Sequence, residues 1–121
     1  MILADTSIWV DHLRKGDDAL VNELENSMIL CHPFVAGELA LGNLSNRAEI
    51  LFLVSRLPRA RTASDSEVNT LIENKRLMGR GIGLVDAHLL ASTLLSHSAK
   101  LWTKDKKLRS LAAEMGVAHV S

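Results

Sequence analysis

A single cysteine, Cys31, leaves this chain of 121 residues without any intramolecular disulfide. With no leader-like segment at the start, that usage is expected of a cytoplasmic protein. No apolar run approaches the roughly 20 residues a spanning helix needs, so no membrane partner is expected. Neither sign of charge dominates: 14 Lys and Arg balance 14 Asp and Glu. A nucleic-acid partner would therefore have to be held by a local basic patch and not by the overall field. Tyrosine is absent, and Trp9, Phe34, Phe52 and Trp102 are the only large aromatics. They are too sparse for a base-stacking platform, which leaves recognition by RNA shape or by a partner surface. His12, His32, His88, His97 and His119 stand outside any HExxH or Cys/His spacing, so zinc is not indicated. There is no GxSxG nucleophile motif. Gly79-Arg80-Gly81-Ile82-Gly83 lacks the GxxxxGK[ST] spacing of a phosphate loop and follows a predicted helix, and it reads as a helix-to-helix connection.

What is present is 47% hydrophobic residues in a chain of one-domain length, so a single core over residues 1–121 is expected. The run Met1-Ile2-Leu3-Ala4 reads as a buried strand that stops at Asp5. Thr6 or Ser7 is expected to cap a helix through Arg14, ended by Gly16, and a second short helix follows Asp17-Asp18 to about Asn26. Met28 to Cys31 is a second strand. Pro33 opens a helix to about Leu44, Arg47 to Arg56 forms another, and Ser64 starts one whose stripe continues up to Gly79. Arg59 to Ala63 is either an edge strand or a connector. Leu84 opens a broad apolar helix, Leu101-Trp102 is a third strand, Lys106 to Met115 is a helix closed by Gly116, and Val117 to Val120 is a last strand. Strands alternating with helices imply an α/β fold, a three-layer α/β/α sandwich with a mainly parallel central sheet.

Sites in such folds lie at the carboxyl ends of the strands. Asp5 and Asp105 end predicted strands, Glu38 lies one turn into its helix, and Asp86 lies in the first turn of another. Each has a bland alternative as a helix cap, a dipole partner or a solvated acid. Four acids gathered without interleaved cations repel, however, and are tolerated chiefly where a divalent cation or a raised pKa offsets the cost. Hard cations such as magnesium or manganese select these oxygen ligands, with Asp5, Asp86 and Asp105 as metal ligands and Glu38 acting directly or through water. Asp11 is a possible auxiliary acid, although a solvated helix face is the simpler reading. Lys104, Lys106 and Lys107 flank Asp105 and are candidates for the substrate backbone. Residues two apart on a helix diverge, so His88 is not expected to share the Asp86 ligand sphere.

The series Ile2-Leu3-Ala4-Asp5-Thr6-Ser7, Glu38 within a helix, Gly83-Leu84-Val85-Asp86-Ala87-His88-Leu89-Leu90-Ala91-Ser92 and Leu101-Trp102-Thr103-Lys104-Asp105 resembles a PIN domain, in particular the VapC-type toxins of toxin–antitoxin pairs. The resemblance covers essentially the whole chain. It implies a magnesium- or manganese-dependent endoribonuclease with Asp5, Glu38, Asp86 and Asp105 in the acidic positions and Thr6 and Thr103 as supporting hydroxyls. It also implies an RNA substrate, a cognate antitoxin that blocks the nuclease, a homodimer, and no DNA binding by this chain without the antitoxin. Members often carry a second acid and an aromatic after the last motif aspartate, where this chain has Lys107 and Leu108. A non-catalytic PIN-like protein-binding module is the alternative from another class. A phosphoryl-accepting receiver-like domain is a further one, disfavoured by the single early Asp5. For the dimer, the expected surface comprises Leu39, Leu41, Leu44, Phe52 and Leu53; for an antitoxin arm, it comprises Trp9, Leu13 and the Pro33 helix.

Overall fold

The computed structural model describes residues 1–120. The elements follow in the order β1 (Ile2–Ala4), α1 (Thr6–Lys15), α2 (Asp18–Glu25), β2 (Ile29–Leu30), α3 (Pro33–Leu41), α4 (Arg47–Ser55), α5 (Asp65–Asn74), α6 (Leu84–Leu95), β3 (Lys100–Trp102) and α7 (Lys106–Glu114). The strands form a parallel sheet in the order β2-β1-β3, with Leu3 in register with both Leu30 and Leu101. Parallel strands covered on both faces need continuous apolar runs, which is why Ile2, Leu3 and Ala4 are all buried. The fold is an α/β sandwich, as its alternating pattern predicts.

Two further segments widen the sheet by one bridge each. Arg59 pairs with Cys31 beyond β2, and Ala118 pairs with Leu101 beyond β3. Arg59 to Ala63 is thus an edge contact of a single residue. The expected strand over Val117–Val120 is likewise reduced to the bridge at Ala118, held by Leu101 N donating to Val117 O and His119 N donating to Leu101 O.

Helix ends depart from expectation for local reasons. The cap of α1 is Asp5, not Thr6 or Ser7, because its backbone is extended (φ −79°, ψ 177°) while Thr6 is already helical. Helix α3 stops at Leu41 and not Leu44, since Gly42 turns to ψ 163°. Helix α5 stops at Asn74, well before Gly79. Arg76 adopts a left-handed φ of 52°, which lets Leu77 N reach Ile72 O and drops Leu77 into the core. The Ser64 start is as expected, a reciprocal capping box in which Glu67 N donates to Ser64 Oγ and Ser64 N donates to Glu67 Oε1. Trp9 and Leu39, expected on docking surfaces, are each 1% exposed and belong to the core with Leu3, Ile8, Leu20, Ile29, Leu90, Leu101 and Leu108.

Candidate functional site

Asp5 stands where β1 becomes α1. Its backbone N–H donates to Trp102 O at 3.0 Å, so the ends of β1 and β3 are tied at this point. The carboxylate accepts from Ile8 N at 3.3 Å and from the Ser7 hydroxyl, and the Thr103 hydroxyl bonds it as well. Burial pushes the Asp5 carboxyl above its ordinary range, and the Ser7 and Thr103 hydroxyls and the Ile8 and Ser7 N–H groups only partly oppose this. Ser7 also accepts from Lys104 N at 3.0 Å. One hydroxyl thus joins the first acid to the loop that carries the last.

Asp105 follows β3 and caps α7, its Oδ1 accepting from Leu108 N at 2.9 Å. The Asp105 N–H donates to Thr103 Oγ1 at 3.0 Å. Buried Thr103 therefore links Asp105 to Asp5. Both of these acids serve as helix caps and as members of the cluster, so the two readings hold together.

Glu38 lies in the second turn of α3, exposed, with its Oε1 taking the Thr6 hydroxyl at 2.5 Å. Asp86 is the third residue of α6, and its Oδ2 accepts from Gly83 N at 3.2 Å. The Asp86 carboxyl is pushed up, first by burial and then by the charges of Asp105, Asp5 and Glu38, against the Gly83 N–H. The charges of all three other acids thus reach Asp86.

This donor set is all oxygen, which suits a hard divalent cation, and a cation would relieve the repulsion recorded at Asp86. Among the described residues, no three His, Cys, Asp or Glu side chains converge closely enough to hold an ion as they stand. Each acid accepts from a local donor: Asp5 from the Ser7 hydroxyl, Glu38 from the Thr6 hydroxyl, Asp86 from Gly83 N and Asp105 from Leu108 N.

The flanking cations are sorted by the structure. Lys104 bonds Asp11, which also pairs with Lys15 at 3.4 Å. The Lys104 ammonium holds the Asp11 carboxyl below its ordinary range, so Asp11 is a partner of lysines on the α1 flank. Lys106 and Lys107 are exposed in the first turn of α7. His88 points away from the acids, as expected: its ring is buried against Phe34, with centroids 4.8 Å apart, and its Nε2 is 3.8 Å from Asp65 Oδ1. The residue that sequence reasoning undervalued is Ser7. Its signal was its place directly after Asp5-Thr6, where a hydroxyl can reach back to the carboxylate of its own turn.

The PIN domain family matches residues 2–114. Two relatives, both named Ribonuclease VapC32, come from Mycobacterium tuberculosis strains CDC 1551 / Oshkosh and ATCC 25618 / H37Rv. Each is 47% identical over 118 residues, covering 98% of this chain and 95% of the relative.

Proposed function

This chain belongs to the PIN-domain family as an endoribonuclease of the VapC toxin type, and from that premise we propose that Asp5, Glu38, Asp86 and Asp105 form the divalent-metal site that hydrolyses RNA. The observation that carries the reading is the family match over residues 2–114, within which Asp5 follows β1 and Asp105 follows β3; burial and the charges of the other three acids also raise the Asp86 carboxyl. Nothing in a merely structural role calls for four carboxylates from four elements at one rim.

Asp5 and Asp86 are the direct ligands, and Asp105 and Glu38 act directly or through water. Ser7 and Thr103 orient the Asp5 carboxylate, and Thr6 holds Glu38 toward α1. When bound, a hard cation of the magnesium or manganese kind supplies Lewis-acid activation and neutralises charge on the phosphate. Because the Asp5 and Asp86 carboxyls are raised, protons compete with the ion for them as pH falls, so affinity falls on acidification. The acids also keep the bare site repulsive to a polyanion, so RNA and cation binding reinforce each other.

The partners follow from the same chemistry. As the toxin of a type II toxin–antitoxin pair acting in the cytoplasm, the chain is restrained by an antitoxin arm. An arginine or lysine of that arm enters the acidic site by charge-assisted hydrogen bonds. Its apolar part seats in the cleft of about 620 Å³ lined by Val10, Leu13, Leu44 and Ile50 between α1 and the start of α4. Leu41 (90% exposed), Phe52 (66%) and Leu53 (40%) form the apolar surface for a homodimer. A monomeric mass by light scattering at micromolar concentration would contradict the dimer.

The enzyme reading is tested by incubating the purified protein with total RNA and magnesium or manganese, with and without excess chelator. Internal cleavage that stops in chelator supports it. RNA left intact at every metal concentration would favour the alternative, a non-catalytic binding module.

A further inference from the structure

The loop between α5 and α6 carries two glycines in the left-handed region, Gly79 at φ +71° and Gly81 at φ +83°. Their surroundings differ. A β-carbon built on Gly79 meets nothing within 4 Å, whereas one built on Gly81 would lie 2.6 Å from Lys107 Cδ and 2.8 Å from Lys107 Nζ. The stem and ammonium of Lys107 therefore lie across the bare face of Gly81. That places the charge between the first turn of α7, capped by Asp105, and the loop that enters α6 and Asp86. The neighbouring residue fixes the loop from the other side, since Arg80 Nη2 is 2.6 Å from Glu114 Oε2 near the end of α7.

Lys107, like its neighbour Lys106, makes no ion pair among the described residues. Lys104 is taken by Asp11 and Arg80 by Glu114. An exposed ammonium without an ion pair is available to an anion, and Lys107 carries one in the helix turn capped by Asp105. A polyanionic substrate that must approach four carboxylates needs such a charge at the rim.

We propose that Lys107 binds a phosphate of the RNA next to the acidic site and that Gly81 is a positioning residue whose missing side chain makes room for it. This rests on the nuclease reading above. The left-handed φ of +83° already favours glycine at position 81, and the contact with the flexible end of Lys107 adds to it.

The test measures binding of a fluorescent single-stranded RNA to protein carrying Asp86→Asn, over a series of salt concentrations, so that the readout does not depend on cleavage. Lys107→Gln in that background should raise Kd by on the order of tenfold, the size of one charge-assisted hydrogen bond. It should also reduce the slope of log affinity against log salt by about 1. Lys107→Arg should restore most of both. Gly81→Ala should reproduce the Lys107→Gln effect, and adding it to Lys107→Gln should change little more. Gly79→Ala, equally left-handed but facing open space, should leave Kd unchanged and so controls for backbone strain. Melting curves confirm that each variant is folded. An unchanged Kd and salt slope in Lys107→Gln would overturn the proposal, as would equal losses in Gly79→Ala and Gly81→Ala. Failure of the parent protein to cleave RNA would instead count against the acidic site itself, leaving the binding comparison to stand or fall alone.

Discussion

His32 makes the stability of this protein depend on pH in a way that one substitution can isolate. Its Nδ1 accepts the Phe34 N–H at 2.9 Å and so caps α3, the helix that carries Glu38. The ring is 2% exposed, and its Nε2 is buried without a partner. Burial, then the charges of His88 and Arg59, push its pKa from 6.5 down to about 4. Between those values the unfolded chain binds a proton that the folded protein refuses, so the contribution of His32 is complete above 6.5 and is lost as pH falls toward 4. At about 1.36 kcal/mol per pH unit the full loss is roughly 3 kcal/mol, of which about 2 kcal/mol has gone by pH 5. For a domain of this size that is a fall in Tm of roughly 8 °C. His32→Asn keeps an acceptor for Phe34 N but cannot titrate, although it gives up the ring contact with Phe34, whose centroid is 5.2 Å away. Its Tm should be lower at pH 7 and should then fall by about 8 °C less than that of the unsubstituted protein on going to pH 5. Comparing the two slopes by calorimetry, without metal, cancels the titration of every other group. Parallel curves would refute the reasoning.

Asp86→Asn should raise Tm at pH 7 in the absence of metal, because the raised carboxyl is a cost above the ordinary carboxylate range that vanishes below 3.8; melting curves at pH 7 and pH 3.5 check both the gain and its loss. Thr6→Val removes the hydroxyl that holds Glu38 and should lower kcat while changing stability by no more than about 1 kcal/mol, which steady-state kinetics and denaturant unfolding separate. Leu3→Ala, at the centre of the sheet with no exposure, should cost about 2 to 5 kcal/mol in urea unfolding without altering the salt dependence of RNA binding.

The parts of this molecule legible in the sequence are those governed by local pattern. Ile2-Leu3-Ala4 is an apolar run that stops at a carboxylate, and Ser64 to Glu67 spells a capping box; both form as read. The placement of Asp5 after β1 and of Asp105 after β3 was legible because parallel topology sends strand ends to one rim. Single-residue pairings at Arg59 and Ala118 were not, since one bridge leaves no periodicity to detect. The early end of α5 turns on Arg76 adopting a left-handed backbone that its residue type does not advertise. Trp9 and Leu39 were misplaced on docking surfaces because an apolar residue on a short helix does not declare which neighbour it packs against. Ser7 shows the remaining gap: its bond to Asp5 is local, but the bond it accepts from Lys104 N joins residues 97 apart and exists only once β1 and β3 are paired.

The central claim is that acids held by four separate elements act as one cation site. Titration of manganese into the metal-free protein by isothermal calorimetry at pH 7, beside Asp86→Asn, tests it most directly. The account predicts saturable binding in the unsubstituted protein and its loss in the variant. Equal affinity in the two, or no binding to either, would contradict it.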